Sequence, residues 1–413
     1  MHNKYKSDDP GSRIAQPTMQ IGFQSEKLTE IELQATLPGV VFAMRYPDDT
    51  GFVWNTIART RDLAASHLTS LARCFIAYPK ITESPAYHAK HLASVALDFH
   101  ETSPEALVTL EKFIVENSVR VIVFMSALPS TLNLAFFRRL GVATVNTEND
   151  GFNHSQKDPV HTKFIKHVVR NILKKQVHNM HLANAEAQYN FLLRYAQVPR
   201  TRLALVRDGV DTERFVPGIR NEACLSLGLD PSWTWLISVA QARPEKRIGM
   251  IIRALKRVIQ ERPGQKIGFI FVGDGECISE WTNTAKELGL DVQIHFAGRQ
   301  DNVVPYYQAA SLMVHASRRE SFGLAIVEAM SCELPVVATK SAGPNETIQD
   351  GRTGALVDSE DFESLVNSIL RYIDDEYLRE IHGKAARRRV VEMYGMARQG
   401  QELANHIKHF LSA

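Results

Sequence analysis

Short apolar runs alternate with helix-like segments through most of this 413-residue sequence, and this alternation is the feature that most constrains the fold. Runs that are apolar at consecutive positions are typical of strands buried on both faces of a sheet. Helices between such strands indicate parallel pairing, because parallel strands need long crossover connections. The sequence therefore predicts α/β architecture with doubly wound sheets. The runs lie at 40–44, 74–77, 95–97, 121–124, 142–145, 203–206, 236–239, 269–272, 294–296 and 312–315.

The chain is long enough for two domains of this type facing a central cleft. We place the boundary near 197–202, where a proline and arginines follow a helix-like segment. The strand at 203–206 is then expected to open the second series. The predicted organisation is a polar extension over 1–35, a first Rossmann-like domain over 36–200, a second over 201–392, and a helix over 393–413.

Composition excludes several classes of protein. The net charge of +2 gives no global field for nucleic acid, and the four cysteines fit no metal-binding spacing. No uncharged apolar run reaches the roughly 18 residues that a membrane-spanning helix needs, and the first thirty residues lack the apolar core of a leader peptide. We therefore expect a reduced, cytoplasmic protein without a bound metal, either soluble or peripheral on the inner membrane face.

Two acidic residues, Glu320 and Glu328, lie eight positions apart at the start of a predicted helix over about 322–331. Eight residues rise by roughly 12 Å if all are helical, which is about the span from a sugar across a diphosphate to a ribose. Gly323 between them would let the N–H groups of a helix start approach an anion. The spacing indicates a nucleotide-sugar site with one carboxylate at each end. The alternative is an amphipathic helix with two surface acids.

The segment from 317 to 354 resembles the C-terminal signature of glycosyltransferase family 4, also described as glycosyl transferases group 1. The matching residues are Ser317, Glu320, Phe322-Gly323-Leu324, Glu328-Ala329-Met330, Pro335 to Thr339, Gly343, Glu346, Gly351 and Gly354. The resemblance implies the GT-B fold, in which two Rossmann-like domains face a cleft and a C-terminal helix crosses back to the first domain. It also implies a retaining, metal-independent enzyme without a cofactor, in which Glu320 contacts the donor sugar and Glu328 contacts the ribose.

Other positions are carried over from the same family resemblance. Lys246 maps onto a cation that meets the donor diphosphate, and Arg243 is offset by two from its usual place, where Gln241 stands. The alternative for both is a basic helix cap on the surface. Phe322, Gly323 and Leu324 form the donor-facing helix start. The remaining donor-side residues are Gly273 in the loop beside the nucleotide, Arg299 in the segment that reads the base, and Gly51 beneath the donor phosphate.

The sequence departs from the family where many members have a histidine near the reacting carbon. Asn146 and Asn149 occupy the two possible alignments, and an amide can bind a hydroxyl but cannot take a proton. His154 is a candidate from the following loop, although a loop histidine is more often simply solvated. Glu148 and Asp150 are the remaining acid–base candidates.

Two further segments are interpreted from their residues. Between 151 and 205 nine basic residues face only two acidic ones, and 161–181 reads as a helix with a broad apolar face. This segment is either an ordinary domain helix or a contact for anionic lipid or a phosphorylated acceptor. The element at 208–215 resembles one in the same family, with Asp208 in place of the usual asparagine. Gly209 is expected to supply a turn with positive φ, an architectural role.

The function predicted from the sequence is transfer of a sugar from a nucleotide sugar to an acceptor hydroxyl on a glycan, a lipid-linked glycan or a small molecule. A non-catalytic nucleotide-sugar binder or partner subunit is the alternative, because the histidine is absent and Gln241 replaces an arginine. Nucleotide-sugar epimerisation and nucleic-acid binding are less favoured. The basic stretch lacks the interleaved aromatic residues that bind nucleic acid.

Overall fold

The computed structural model describes residues 36–49, 51–127, 132–148, 178–194 and 196–412, with 51–55 described by their backbone alone. These residues form two parallel β-sheets with helices on both faces. The two doubly wound sheets confirm the predicted α/β class.

The first sheet contains seven strands, all parallel to their neighbours, in the order β3-β2-β1-β4-β5-β6-β7. The strand order reverses between β1 and β4, and such a reversal opens a crevice at the carboxyl ends of the strands. Strands β1 to β7 span Gly39–Ala43, Arg73–Tyr78, Ala93–Ala96, Val119–Met125, Ala143–Glu148, Met180–Ala183 and Leu203–Leu205.

The helices of the first half follow the predicted alternation. The second of them starts where the sequence indicates, because Ser103 accepts a hydrogen bond from the N–H of Ala106 and Pro104 occupies the first helical position. Helices α1 to α4 span Gly51–Ser66, Pro104–Glu116, Leu134–Arg139 and Glu186–Arg194.

The second sheet contains six parallel strands in the order β10-β9-β8-β11-β12-β13. Strands β8 to β13 span Thr234–Val239, Ile267–Val272, Ile294–Gly298, Leu312–His315, Val336–Thr339 and Gly354–Val357. Helices α5 to α11 span Arg220–Ser226, Ile248–Glu261, Ile278–Glu287, Val304–Ala309, Leu324–Ser331, Ala342–Thr347 and Phe362–Asp374.

Consecutive residues of the central strands enter separate cores on the two faces of the second sheet. In β8, Ile237 belongs to one core cluster and Leu236 to the other, and in β9 Ile270 and Phe269 divide in the same way. This arrangement explains the continuous apolar runs, because a strand covered on both faces buries every side chain.

Two helices end the described chain, α12 over Glu376–Met393 and α13 over Met396–Leu411. Helix α13 returns to the first sheet, where Leu403, Ala404 and Ile407 pack in the core beside strands β1 and β4. Gly400 permits its close approach to α1, because a Cβ at this position would lie 2.8 Å from the Cβ of Leu63. The crossing of the C-terminal helix is confirmed.

A buried polar cluster joins this helix to the segment that leaves the first sheet. Asp208 accepts hydrogen bonds from Asn184 Nδ2 at 2.7 Å and from Gln399 Nε2 at 3.1 Å. Arg61 of α1 donates to Thr147 Oγ1 at 2.9 Å beside the same cavity. Burial raises the pKa of Asp208 to about 6 and lowers that of Arg61 to about 10. Among the described residues, Asp208 thus links helix α13 to the segment around Asn184.

Two sequence-based expectations were wrong in this part of the chain. The strand at 203–206 does not open the second series, because Leu203–Leu205 pairs with β6 at the edge of the first sheet. The chain passes to the second sheet only between Leu205 and Thr234. Gly209 does not have positive φ; its glycine is required because a Cβ would lie 2.7 Å from the Cα of Met396.

The basic segment at 161–181 is only partly described. Residues 161–177 lie outside the described residues, and the predicted helix does not extend to its end, because Met180 and His181 belong to strand β6. None of the helices within the described ranges is long and apolar enough to cross a membrane.

Replacing Gly400 by alanine should destabilise the protein, because the new Cβ meets Leu63 and the backbone of Ala64 at 2.8–3.1 Å. We expect unfolding by urea to show a loss of about 1–3 kcal/mol, the usual cost of overpacking.

Gly249→Ala is the matched control for this substitution. Gly249 also lies in a helix, α6, but its added Cβ would meet no atom closer than 3.5 Å. Because alanine has a higher helix propensity than glycine, this substitution should stabilise the protein by up to about 1 kcal/mol. Equal stabilisation by both substitutions would contradict the close packing of α13 on α1.

Candidate active site

Glu320 lies in the loop between β11 and α9, at the carboxyl edge of the second sheet. Its Oε2 lies 2.7 Å from the Nζ of Lys246 and 3.3 Å from the Nε2 of His315, the last residue of β11. The Glu320 side chain is 16% exposed. Burial raises the pKa of this carboxyl, but His315 and Lys246 lower it further, to about 2. Glu320 is therefore an ionised carboxylate with two basic neighbours.

Hydrogen bonds join the two loops that carry Glu320 and Lys246. The N–H of Arg318 donates to the carbonyl of Glu245 at 2.9 Å, and Arg247 Nε donates to the carbonyl of Ala316 at 2.7 Å. Arg247 adopts a left-handed conformation, with φ of 50°, between a 3₁₀ turn at Pro244–Lys246 and helix α6. These contacts fix the position of Lys246 relative to Glu320.

Close backbone packing holds the start of helix α9. The N–H of Gly343 donates to the carbonyl of Glu320 at 2.8 Å, and a Cβ on Gly343 would lie 2.3 Å from the carbonyl oxygen of Phe322. The helix begins at Leu324, after Gly323 in a left-handed conformation with φ of 91°, so the predicted start at 322 was wrong. The roughly 12 Å span computed for eight helical residues consequently does not apply.

The side chain of Phe322 points away from any site at this loop. It is buried in the core and makes an edge contact with Tyr394, with ring centroids 5.6 Å apart. A ligand at the helix start would meet the backbone of Phe322 and Gly323, while Leu324 lines a neighbouring pocket.

Glu328 lies one turn further along α9 and is 6% exposed. Its Oε2 accepts a hydrogen bond from the hydroxyl of Tyr307 at 2.9 Å. Burial raises the pKa of Glu328 to about 7, against the opposing effects of Tyr307 and the charge of Arg214. A buried carboxyl that titrates near neutral pH is typical of functional sites.

The pocket beside Glu328 is formed by both halves of the chain. Helix α1 contributes Thr56 and Arg59, and the segment after β7 contributes Gly209, Asp211 and Arg214. Arg59 Nη1 lies 2.5 Å from Asp211 Oδ2 at this boundary. The second acidic residue of the sequence signature therefore faces a boundary between the two sheets and their helices.

The loop with Lys246 also contacts the loop after β9. The N–H of Gly273 donates to the carbonyl of Gly298 at 2.9 Å, and a Cβ on Gly273 would lie 1.9 Å from the carbonyl oxygen of Ala240. The N–H of Ala242 donates to the carbonyl of Asp274 at 2.9 Å. The predicted residue Gly273 is thereby placed at the same sheet edge as Lys246.

Two predicted cations and one glycine have positions in the fold that do not by themselves support the roles given to them. Arg243 precedes the 3₁₀ turn and is exposed, and Arg299 is exposed directly after β10. Gly51 is the first residue of helix α1. The roles proposed for Arg243, Arg299 and Gly51 stay predictions.

On the first sheet, Asn146 uses its side-chain amide internally. Its Oδ1 accepts from the N–H of Ala127 at 3.0 Å, and its Nδ2 donates to Glu148 Oε1 at 2.7 Å. Asn146 therefore supports Glu148 through its amide, and a contact between Asn146 and a sugar hydroxyl stays a prediction. His181 Nδ1 lies 2.9 Å from the same oxygen of Glu148. Asn149, Asp150 and His154 lie outside the described residues.

A family model described as glycosyl transferases group 1 matches residues 227–389. The second α/β domain belongs to this family. The match confirms the resemblance drawn from the segment at 317–354, which lies within the matched residues.

Curated glycosyltransferases and a related synthase match this chain over part of their length. It is 31% identical to N-acetyl-alpha-D-glucosaminyl L-malate synthase of Bacillus anthracis over 167 residues, 40% of this chain and 43% of the relative. It is 30% identical to D-inositol 3-phosphate glycosyltransferase of Rhodococcus opacus over 199 residues, 46% of this chain and 45% of the relative. The chain thus spans less than half the length of these relatives.

Solved structures of glycosyltransferases match nearly the whole chain. A glycosyltransferase from Rickettsia africae has a TM-score of 0.72 at 17% identity, covering 91% of this chain and 99% of that one. Anabaena HepE in complex with UDP has a TM-score of 0.71 at 18% identity, covering 90% and 100%. The predicted GT-B fold is confirmed, and likeness at this identity establishes the fold alone.

Sequence reasoning missed His315, Tyr307 and Arg59 as site residues. His315 ends a buried strand five residues before Glu320, so its position in the sequence gave a signal that a strand-end histidine faces the same edge. Arg59 lies far from the signature in sequence, and Tyr307 precedes it on another helix, so only the folded chain brings these side chains to the surroundings of Glu328.

Glu328→Gln should stabilise the protein in a pH-dependent manner. The folded-state pKa of about 7 exceeds the ordinary glutamate value of 4.5, so the folded protein holds more protons than the unfolded chain between these values. The contribution of Glu328 to the free energy of unfolding is most favourable below about pH 4.5 and becomes less favourable as the pH rises towards 7 and above.

The glutamine variant removes this loss while retaining an acceptor for the Tyr307 hydroxyl. We expect equal stability near pH 4.5 and a gain of up to about 3 kcal/mol at pH 8, measured by urea unfolding across the pH range. A gain that is constant across that pH range would show that Glu328 does not titrate as described.

Proposed function

We propose that this protein is a retaining glycosyltransferase that moves a sugar from a nucleotide-sugar donor to an acceptor hydroxyl. The observation that carries the proposal is the Lys246–Glu320 pair, 2.7 Å apart, in which Glu320 lies on the loop that leads into the helix of Glu328. A cation, an ionised carboxylate and a buried carboxyl thus follow one another along the carboxyl edge of the second sheet. The family match at 227–389 supports the proposal.

The donor diphosphate would lie beside Lys246 and the first turn of α9. Helix α9 begins directly after Gly323 and carries the positive end of its dipole there. The bond from the anomeric carbon to the phosphate oxygen breaks, and a bond to the acceptor oxygen forms on the same face. The acceptor proton passes to the departing phosphate. Lys246 and the N–H groups of this helix start stabilise the negative charge on that phosphate, so no metal ion is needed for this step.

Glu320 would bind a hydroxyl of the donor sugar, and Glu328 a hydroxyl of the ribose. Closure of the two domains would exclude the water that otherwise hydrolyses the donor. HepE was solved with UDP-glucose, so UDP-sugars are the first donors to test.

The acceptor is proposed as a glycan, a lipid-linked glycan or a small molecule. The relatives are named for a malate conjugate and for inositol 3-phosphate, which favours small hydroxylated acids in the first screen. Contact with a membrane through 161–181 stays a prediction, because most of that segment lies outside the described residues.

A non-catalytic nucleotide-sugar binder is the second candidate. The observation that favours it is that Asn146, at one of the two alignments where many family members have a histidine, already binds Ala127 and Glu148 through its amide. In this case the donor would bind, but purified protein would release no nucleotide with any acceptor.

Thermal-shift and calorimetric measurements with UDP-, GDP-, ADP- and dTDP-sugars test the donor site. We expect one base to stabilise the protein selectively and Glu328→Ala to abolish the effect, because the ribose contact is lost. Absence of binding by all these donors would remove the roles given to Glu320, Glu328 and Lys246.

Transfer should also depend on Lys246. Lys246→Ala is expected to lower the rate of nucleotide release by about 10²–10³-fold, as for loss of one charge-stabilising donor. The control is Lys286→Ala, because Lys286 is exposed on helix α7 away from this edge. Chelation by EDTA should leave the rate unchanged. A Lys246→Ala rate within about twofold of the control would contradict the assignment of diphosphate charge to Lys246.

A further inference from the structure

The two oxygens of the Glu320 carboxylate have different surroundings. Both basic neighbours, Lys246 and His315, approach Oε2. No side chain or N–H group in the described part of the chain forms a hydrogen bond with Oε1. One oxygen is thus held by the protein, and the other is available to a ligand.

The imidazole of His315 is buried and poorly paired. Its side chain is 5% exposed, and its Nε2 lies 3.3 Å from Glu320 Oε2 without forming a hydrogen bond to the described residues. A buried polar nitrogen without a hydrogen bond is costly, because it has given up water without a replacement. A small movement of Glu320 towards His315 would satisfy it.

Lys246 faces two negative groups in the proposed reaction, the Glu320 carboxylate and the donor diphosphate. A single ammonium group on a flexible stem can move between them. Its departure would leave a largely buried carboxylate without its cation, which is strongly unfavourable. Some other donor must then hold Glu320.

This inference rests on the proposed function. We propose that His315 replaces Lys246 as the main partner of Glu320 when the donor binds, an exchange of partners at this carboxylate. Lys246 leaves Glu320 for the diphosphate, and His315 Nε2 becomes the hydrogen-bond donor to Oε2. The donor sugar then offers a hydroxyl to Oε1. His315 acts as a positioning residue for Glu320.

This exchange distinguishes the donor from the nucleotide product. A nucleoside diphosphate separates Lys246 from Glu320 but offers no hydroxyl to Oε1. A nucleotide sugar causes the same separation but supplies a hydroxyl. The exchange therefore weakens binding of the product relative to the donor and favours its release after transfer.

Calorimetry with UDP and UDP-glucose tests the exchange, or the matching pair for whichever base the donor screen selects. In Glu320→Gln the lysine is free before the ligand arrives, so UDP should bind about tenfold more tightly than it binds wild type. UDP-glucose should lose its advantage over UDP in the same variant. Weaker binding of UDP to Glu320→Gln would overturn the exchange.

His315 variants test the second half of the proposal. His315→Leu should weaken UDP binding, because Glu320 then has no second partner when Lys246 leaves it. It should weaken UDP-glucose binding about tenfold more, because the sugar also requires an oriented Glu320. His315→Gln retains an N–H donor and should restore most of the difference. Equal weakening of both ligands by His315→Leu, without rescue by His315→Gln, would show a purely structural role.

The outcomes separate this inference from the function on which it rests. If wild-type protein binds none of the nucleotide sugars, the proposed function fails and the exchange fails with it. If wild type binds UDP-glucose more tightly than UDP and both Glu320→Gln and His315→Leu preserve that ratio, only the exchange is overturned.

Discussion

Parallel strand pairing in both sheets is the constraint on which the candidate site depends. Because neighbouring strands run in one direction, the loops after β8, β9 and β11 all emerge at a single edge. That edge brings Lys246 to Glu320 although they are far apart in sequence. The same geometry directs His315, at the end of β11, towards this carboxylate. The charges of the site follow from the topology.

Glycines determine how closely these loops approach one another. Gly273 and Gly343 each lie where a Cβ would overlap a backbone carbonyl of the adjacent loop. Backbone contacts of this kind cannot adjust as a flexible side chain can, so they position the Glu320 loop firmly. This firmness explains why a buried carboxylate and a lysine can stay in register. It also leaves the lysine side chain as the part of the pair that is able to move.

The sequence was sufficient for the fold class and the signature residues, because apolar runs and a forty-residue motif are local patterns. It was insufficient where the outcome depends on distant partners. The strand at 203–206 was assigned to the wrong sheet because its composition does not specify its neighbour. The internal use of the Asn146 amide depends on Ala127 and Glu148, and the need for glycine at 209 depends on Met396. His315 was visible only as a strand residue, since its significance comes from burial beside Glu320.

The return of helix α13 to the first sheet has a consequence for biosynthesis. Residues of this helix complete a core whose strands are made before the whole second domain. At about 5–20 residues per second, the ribosome needs roughly ten to forty seconds between the last strand of the first sheet and this helix. During that time the apolar face that α13 covers is open to water and to other chains. The nascent first domain is therefore a natural client for chaperones until translation passes the second domain.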